Sequence, residues 1–524
     1  MTGTQGTGNP NQCSRVNFPK KYAAWRGIEK IIFLPHNIAM NNNKVNRLHI
    51  GPAKCALDLG DGSERGEYVD QDYTLHVLGR PHRAVNLMYC YYPLDKGWPA
   101  RASTLAGKGK DVGFAWDYAY DDYFPYQGGL EGDTRDEPFR SMRDVRRHGQ
   151  DVILTLTVDC AVSDEQLVKV AEDLRPFGRL MLRINHEATG NWFAFNKRYT
   201  YQQVADFYVR FHNIIKKHAP HIKTILCIGD DHPDKNGKMK YEDEFAEAIR
   251  AADIWSTDTY LALHWGWPFD IAEPGGNSHK RTGNSETLRG FNFEYGRFMK
   301  RSDGTPRPFV VSEFNADGDV TGPFEQAKQL SDFYRRLPEE APCITGITFY
   351  QFRDRGRLGL EIEDPNNPEI GCAQPILEEY KKILNMEPYL PFMTSGETAD
   401  FPARLRWGGS EDSDGLAVSL DFEQNPVFCE VTFSGEDANL NLMMEINGRW
   451  FYKKPGVKTI DLVSAFFHKQ ITGKKEVPLR IFAPPPEGVN DPSQGPDWEI
   501  NYYAKMQNPP ELRIRYAPAM PAVE

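Results

Sequence analysis

The chain has 524 residues, 40% of them apolar and 26% charged, the composition of an ordinary globular protein with ample length to bury a core. Its formal net charge of −11 argues against a nucleic-acid partner held by phosphate neutralisation. No run of roughly 18 apolar residues occurs, so no membrane-spanning helix is expected, and residues 1–12 lack the apolar core of a signal peptide. The expected compartment is therefore open: cytoplasmic for the chain as it stands, secreted or periplasmic if a leader has been trimmed.

At about 150 residues per domain the length suggests about three units, or one barrel of about 250–300 residues with one sandwich. The eight cysteines form no C-x-x-C pair and no Cys/His spacing that suits zinc. Cys90, Cys160 and Cys227 lie in or beside apolar runs and read as small buried thiols.

Residues 1–80 read as a β-rich segment, with strand-like runs at 56–59 and 73–78, packed on the barrel or on the C-terminal sandwich. Residues 81–385 alternate strand-like and helix-like stretches. The eight apolar runs are 84–91, 112–116, 152–158, 179–184, 222–229, 254–260, 308–314 and 344–349. They are short, continuous and rich in Val, Ile, Leu and Phe, as strands buried on both faces should be. Helices are predicted at 136–148, 163–174, 201–218, 242–251, 324–337 and 375–384. Ser163 with Gln166 forms a capping-box pattern, and Val204, Phe207, Tyr208, Phe211, Ile214 and Ile215 share one helical face. Eight strands alternating with helices predict an α/β protein, a (β/α)8 TIM barrel. Residues 386–402, rich in Pro, Thr and Gly, read as a linker. Residues 403–524 carry short alternating runs at 416–422, 427–433, 440–446, 458–462, 478–482 and 512–516, with turn signals such as Asn447-Gly448, and read as an appended β-sandwich.

Catalytic groups in such a barrel sit at the C-terminal ends of strands. Strand four ends Arg183-Ile184-Asn185-His186-Glu187, strand six Asp258-Thr259-Tyr260, strand seven Ser312-Glu313-Phe314 and strand eight Tyr350-Gln351-Phe352-Arg353. Glu187 and Glu313 are thus expected to face each other across the barrel mouth. A glycosidase needs such a pair, one carboxylic acid to protonate the leaving oxygen and one carboxylate to attack the anomeric carbon. Either alone is a weak signal, because carboxylates at barrel ends often pair with loop residues.

The segment from Arg183 to Phe193 resembles the acid/base region of glycoside hydrolase family 26, a clan A family of retaining (β/α)8 enzymes best known for β-mannanases. Arg183, His186-Glu187 and Gly190-Asn191-Trp192-Phe193 carry the likeness, and Asp253–Tyr260 and Ser312-Glu313-Phe314 resemble the family's strand-six and nucleophile segments. The resemblance spans about residues 84–385. It implies Glu187 as general acid/base, Glu313 as nucleophile, His186 near the reacting sugar, Tyr260 as donor to the nucleophile and Trp192 in the −1 subsite. Two departures separate the chain from the mannanases: Ala194-Phe195 follow Trp192-Phe193, and strand eight offers Tyr350-Gln351-Phe352 where a Trp is usual.

Trp116, Asp117, Trp265 and Trp267 are further candidates for contact with sugar, as are Arg183, Gln351 and Arg353. With 24 Tyr and 10 Trp the chain suits stacking on pyranose rings, although filled cores explain the same count. Arg353, Arg355 and Arg357 suggest an anionic, sulfated or uronic galactan as an alternative substrate; the competing account is pairing with Asp354, Glu361, Glu363 and Asp364. Asp230-Asp231-His232 makes a poor metal site, and His186-Glu187 lacks the second His of a zinc helix. The expectation is a retaining β-glycosidase acting on a mannan-like carbohydrate, with no cofactor, no metal, no nucleic-acid or membrane partner, and an open oligomeric state. A non-catalytic glycan-binding protein and a metal-dependent hydrolase are the rivals.

Overall fold

A computed structural model of the protein describes residues 44–61, 69–95, 124–190, 198–228, 237–239, 241–264, 279–298, 304–354, 357–407, 413–485 and 504–517. Eight parallel strands close into a barrel: Ala56–Asp61, Ala84–Tyr91, Asp151–Val158, Leu180–Ile184, Lys223–Cys227, Ile254–His264, Phe309–Ala316 and Ile344–Phe349. The eighth strand pairs back onto the first, with Ile347 beside Leu57, which closes the ring. Helices Phe139–Arg147, Asp164–Leu174, Tyr201–His218, Ala246–Ala251, Asn284–Phe298, Pro323–Glu340 and Pro375–Leu384 lie between strands, and their apolar faces join the strands in one continuous core. The helix at Asp164–Leu174 begins with the expected capping box of Ser163 and Gln166. The helix at Tyr201–His218 buries Val204, Phe207, Tyr208, Phe211 and Ile215 and begins with a second box, Thr200 with Gln203.

The first two barrel strands differ from the expectation. Strand one is Ala56–Asp61 and strand two is Ala84–Tyr91, which pairs directly with strand three from Ala84 beside Asp151 to Tyr91 beside Val158. That unbroken ladder leaves no place between them for a strand at 112–116, a stretch outside the described residues. Strand one contains the strand-like run read at 56–59, which belongs to the barrel and not to a separate N-terminal segment; its Asp58 carboxylate is buried and accepts from Arg83 Nε at 2.8 Å. The run at 73–78 lies in a helix, Gln71–Leu78, capped by Asp70 and ended by Gly79 in the left-handed conformation. The numbering of strands three to eight is unaffected.

The C-terminal domain stacks a six-stranded antiparallel sheet on smaller sheets of three and two strands. All six runs anticipated there form strands, and Asn447-Gly448, both at positive φ, make the tight turn that joins Leu442–Ile446 to Arg449–Lys453. The six-stranded sheet also takes in two strands from outside the expected boundaries. Val45–Gly51, from the N-terminal segment, lies between Phe392–Thr398 and Ser413–Phe422. Phe392–Thr398 falls in the stretch read as a linker, which therefore contributes structure to the sandwich.

The sandwich meets the barrel at the end where the barrel strands begin. Trp450 N donates to Gly79 O at 2.8 Å and Asn441 Nδ2 to Arg147 O at 2.9 Å, and both acceptors shortly precede barrel strands. Leu48, Ile50, Leu75, Met443, Trp450 and Phe482 form the apolar seam. Trp450 is 4% exposed and stacks on Phe482 at 5.5 Å. Replacing Trp450 by Ala should cost about 3–5 kcal/mol, as for other large-to-small core changes. Thermal unfolding reads this as a lowered midpoint, and polysaccharide affinity should stay unchanged; lost affinity at an unchanged midpoint would contradict the packing role.

Candidate active site

Four strand ends converge on one buried group of polar side chains. Arg183, the penultimate residue of strand four, is fully buried and reaches residues of strands five, six and seven. Its Nη1 donates to Glu313 Oε1 at 2.9 Å. Its Nη2 donates to Asp258 Oδ2 and, at 3.1 Å, to Cys227 Sγ. Tyr260 OH donates to the other oxygen of Glu313, Oε2, at 2.8 Å. His186 Nε2 lies 3.2 Å from Glu313 Oε1 and 3.8 Å from both Glu187 Oε2 and Asp258 Oδ2. Glu187, Glu313, Asp258 and His186 each present an atom within 4.8 Å of the others. The predicted pair of glutamates, on strands four and seven, is therefore brought together.

The chain reaches this geometry through a tight turn after strand four. Asn185 (φ 55°) and Glu187 (φ 45°) adopt the left-handed conformation that side chains disfavour. The turn is held on both sides. Asn185 Oδ1 accepts from Val158 N at 2.7 Å on strand three, and Ala188 N donates to Cys227 O at 2.9 Å on strand five. Gly190 N closes the turn onto Glu187 O at 2.9 Å.

Burial and charge set the protonation of the group. Burial, then the neighbouring Asp258 carboxylate, push Glu313 up to about 7, against the lowering effect of Arg183 and Tyr260. Asp258 is also raised, by burial. Burial and the Arg183 charge hold His186 well below the usual imidazole range, so it is neutral. Burial and Glu313 hold the Tyr260 hydroxyl well above its usual range, so it remains a donor. Among the described residues this is the one group of His, Cys, Asp and Glu side chains close enough to share a cation. The Arg183 guanidinium already stands between two of its carboxylates, and we identify no metal ligand here.

The other candidates divide. Gln351 is buried and donates to Asp354 Oδ1 at 3.2 Å, tying the end of strand eight to its loop. Arg353 is buried at the same strand end. Arg357 pairs with Asp319 at 3.3 Å and donates to Gln374 at 3.1 Å, so pairing holds for it, with a partner outside the acidic residues anticipated. Trp116, Asp117, Trp192, Trp265, Trp267, Arg355 and 230–232 lie outside the described residues. Asp258 and Cys227 were not anticipated in the site. Side chains alternate along a strand, so Asp258, two residues before Tyr260, shares its inward face, and that spacing was the available signal. Nothing in the sequence marks Cys227 beyond its place at the end of a strand.

No known family matches the chain by sequence, and no curated protein does. Among solved structures it is similar to a family 39 glycoside hydrolase from the gut symbiont Bacteroides cellulosilyticus WH2, at 11% identity, with 83% of this chain and 81% of that one covered and a TM-score of 0.41. An α-L-arabinofuranosidase from Thermotoga maritima matches at 12% identity over 84% of this chain and 100% of that one, with a TM-score of 0.41. A glucosidase from Croceicoccus marinus matches at 11% identity over 83% and 98%, with a TM-score of 0.42. Likenesses this distant carry no argument about activity, and they do not single out family 26.

The electrostatics make a prediction independent of any substrate. Asp258→Asn removes a carboxylate that pushes Glu313 upward, so Glu313 ionises at lower pH than about 7. Tyr260→Phe removes a donor, so it ionises at higher pH. Titration of 13Cδ-labelled glutamate, with the Glu313 signal identified by its loss in Glu313→Gln, reads both; shifts of the same sign in the two variants would refute the scheme.

Proposed function

We propose that the chain is a retaining β-glycoside hydrolase, with Glu313 as nucleophile and Glu187 as general acid/base, acting on a neutral glycan of the mannan type. The observation that carries this is the meeting of Glu187 and Glu313 at the barrel mouth with oxygens within 4.8 Å. Retaining enzymes hold their carboxyls about 5–5.5 Å apart, whereas inverting enzymes leave about 6.5–9.5 Å for a water. The unequal surroundings fit the unequal roles. Glu313 receives Nη1 of Arg183 and the hydroxyl of Tyr260, donors suited to a carboxylate that attacks carbon. Glu187 lies on the turn, less enclosed than Glu313.

In the reaction, Glu313 attacks the anomeric carbon while Glu187 gives its proton to the departing glycosidic oxygen. The bond to the leaving sugar breaks as the glycosyl–Glu313 ester forms. Glu187, now a carboxylate, takes a proton from water, which attacks the same carbon and releases Glu313. Neutral His186 beside both carboxyls adds no charge and supplies a ring nitrogen to the reacting sugar. Three carboxyls face one guanidinium in this group, which disfavours an anionic sugar at the reacting position. That balance, with Arg357 on Asp319, weighs against the sulfated or uronic galactan. The complete set of carboxyls and donors weighs against a barrel kept only for binding.

The test is product release from β-mannan, β-xylan, β-glucan and sulfated galactan, with NMR of the first-formed anomer. Glu313→Ala should abolish cleavage. Glu187→Ala should slow it by about 10²–10⁴-fold, the usual span for a general acid. It should spare aryl glycosides with good leaving groups and yield a β-glycosyl azide when azide is added. In the parent protein kcat/KM should fall as pH drops through about 7, where Glu313 takes up its proton. Activity lost to a chelator would favour the metal-dependent rival, and an inverted product would overturn the role of Glu313.

A further inference from the structure

We propose that Cys227, the last residue of barrel strand five, is a positioning residue that couples the two reactive carboxyls, its thiol acting through Arg183 on Glu313 and its carbonyl through the turn that carries Glu187. The inference rests on the roles assigned above to those two glutamates. Its side chain is fully buried beneath the barrel mouth.

The thiol side comes first. Arg183 is anchored to Glu313 through Nη1 and to Asp258 and Cys227 through Nη2, while its Nε is buried without a hydrogen-bond partner. The orientation of the guanidinium plane therefore depends on its two terminal nitrogens alone. Sγ of Cys227, 3.1 Å from Nη2, stands on the side of strand five, away from the Glu313 contact. Without it, Nη2 keeps only Asp258, and the plane is free to swing about the line joining its two carboxylate contacts. Sulfur suits this place. It accepts an N–H while adding no formal charge, whereas another carboxylate would further raise Glu313. An apolar side chain would leave part of a buried cation unbound.

The carbonyl side is equally direct. Cys227 O accepts from Ala188 N at 2.9 Å, and Ala188 follows Glu187, whose φ of 45° needs external support. One residue thus touches the anchor of the nucleophile and the turn of the acid. A thiol that merely fills space would contribute to stability and leave both protonation and turnover untouched.

The experiment compares the full chain with Cys227→Ala, Cys227→Val and Cys227→Ser. In labelled protein, loss of the sulfur contact should loosen Arg183 and raise the Glu313 titration midpoint in the Ala and Val variants; Ser should return it to the parent value. On β-1,4-mannan, the Ala and Val variants should lose about tenfold or more in kcat with KM changed less than about twofold, the pattern of a misplaced reacting group, and Ser should recover most of the loss. Val, one methyl group bulkier than the thiol, leaves no cavity and covers the case in which Ala unfolds the barrel. Parental titration and kcat in Ala or Val would overturn the proposal, as would a loss that Ser shares alongside a lowered unfolding midpoint. If the parent cleaves no glycan in the panel, the glycosidase reading fails, while the titration still decides whether Cys227 positions Arg183.

Discussion

The buried guanidinium of Arg183 is the constraint on which the rest of the site depends. A cation taken wholly out of water is tolerated only where carboxylates and acceptors surround it. Here they arrive from three further strands: Cys227 from strand five, Asp258 from strand six and Glu313 from strand seven. Because each contact belongs to a different strand, the closed barrel is what brings them together, and none of these pairs is local in sequence. The converse also holds. The two carboxylates on Arg183 would repel each other without it, so the cation holds Asp258 and Glu313 at their spacing.

Rigidity around Glu187 has a different source. Two residues of its turn adopt disfavoured backbone angles, each costing about 1–3 kcal/mol. The cost is offset by hydrogen bonds to the flanking strands: Asn185 to Val158 on strand three, Ala188 to Cys227 on strand five, and Thr189 to Ile228 just beyond it. The proposed acid is therefore carried on a turn held by backbone, and the proposed nucleophile is held by charge. This division matches their chemistry. In the proposed cycle Glu187 changes protonation twice, and charged anchors would oppose one of those states. As the proposed nucleophile, Glu313 must be a carboxylate, and donors assist it.

Most of the barrel was legible because its strands are buried on both faces and read as continuous apolar runs. Strand one was read as strand-like at 56–59 but not as part of the barrel, because its buried Asp58 is matched by Arg83 only once the barrel places the two together. The expected second strand at 112–116 lies outside the described residues, and the direct ladder from Ala84–Tyr91 to Asp151–Val158 already fills the barrel position given to it. Within the site, Glu187, Glu313, His186, Arg183 and Tyr260 followed from strand ends and the family 26 resemblance. Cys227 was read as a small buried thiol, which is correct for its burial and silent on its contact, since periodicity reports which way a side chain points and never what it meets there.

The path of the chain explains why the sandwich cannot be treated as an independent appendage. Val45–Gly51 and Phe392–Thr398 are neighbours in one sheet, and the whole barrel lies between them in sequence. Pairing two strands that far apart requires closing a very long loop, at an entropic cost that grows with the logarithm of its length. A folded barrel removes that cost, because its first strand starts and its last helix ends near the same seam, where Cys55 N donates to Pro388 O at 3.4 Å. The six-stranded sheet is thus completed through the barrel, and Leu75 on the barrel side gains in return an apolar cover that includes Leu48 and Ile50 of that sheet. The strand beginnings face this seam and the strand ends carry the carboxyls, so the sandwich braces the end of the barrel opposite the candidate site.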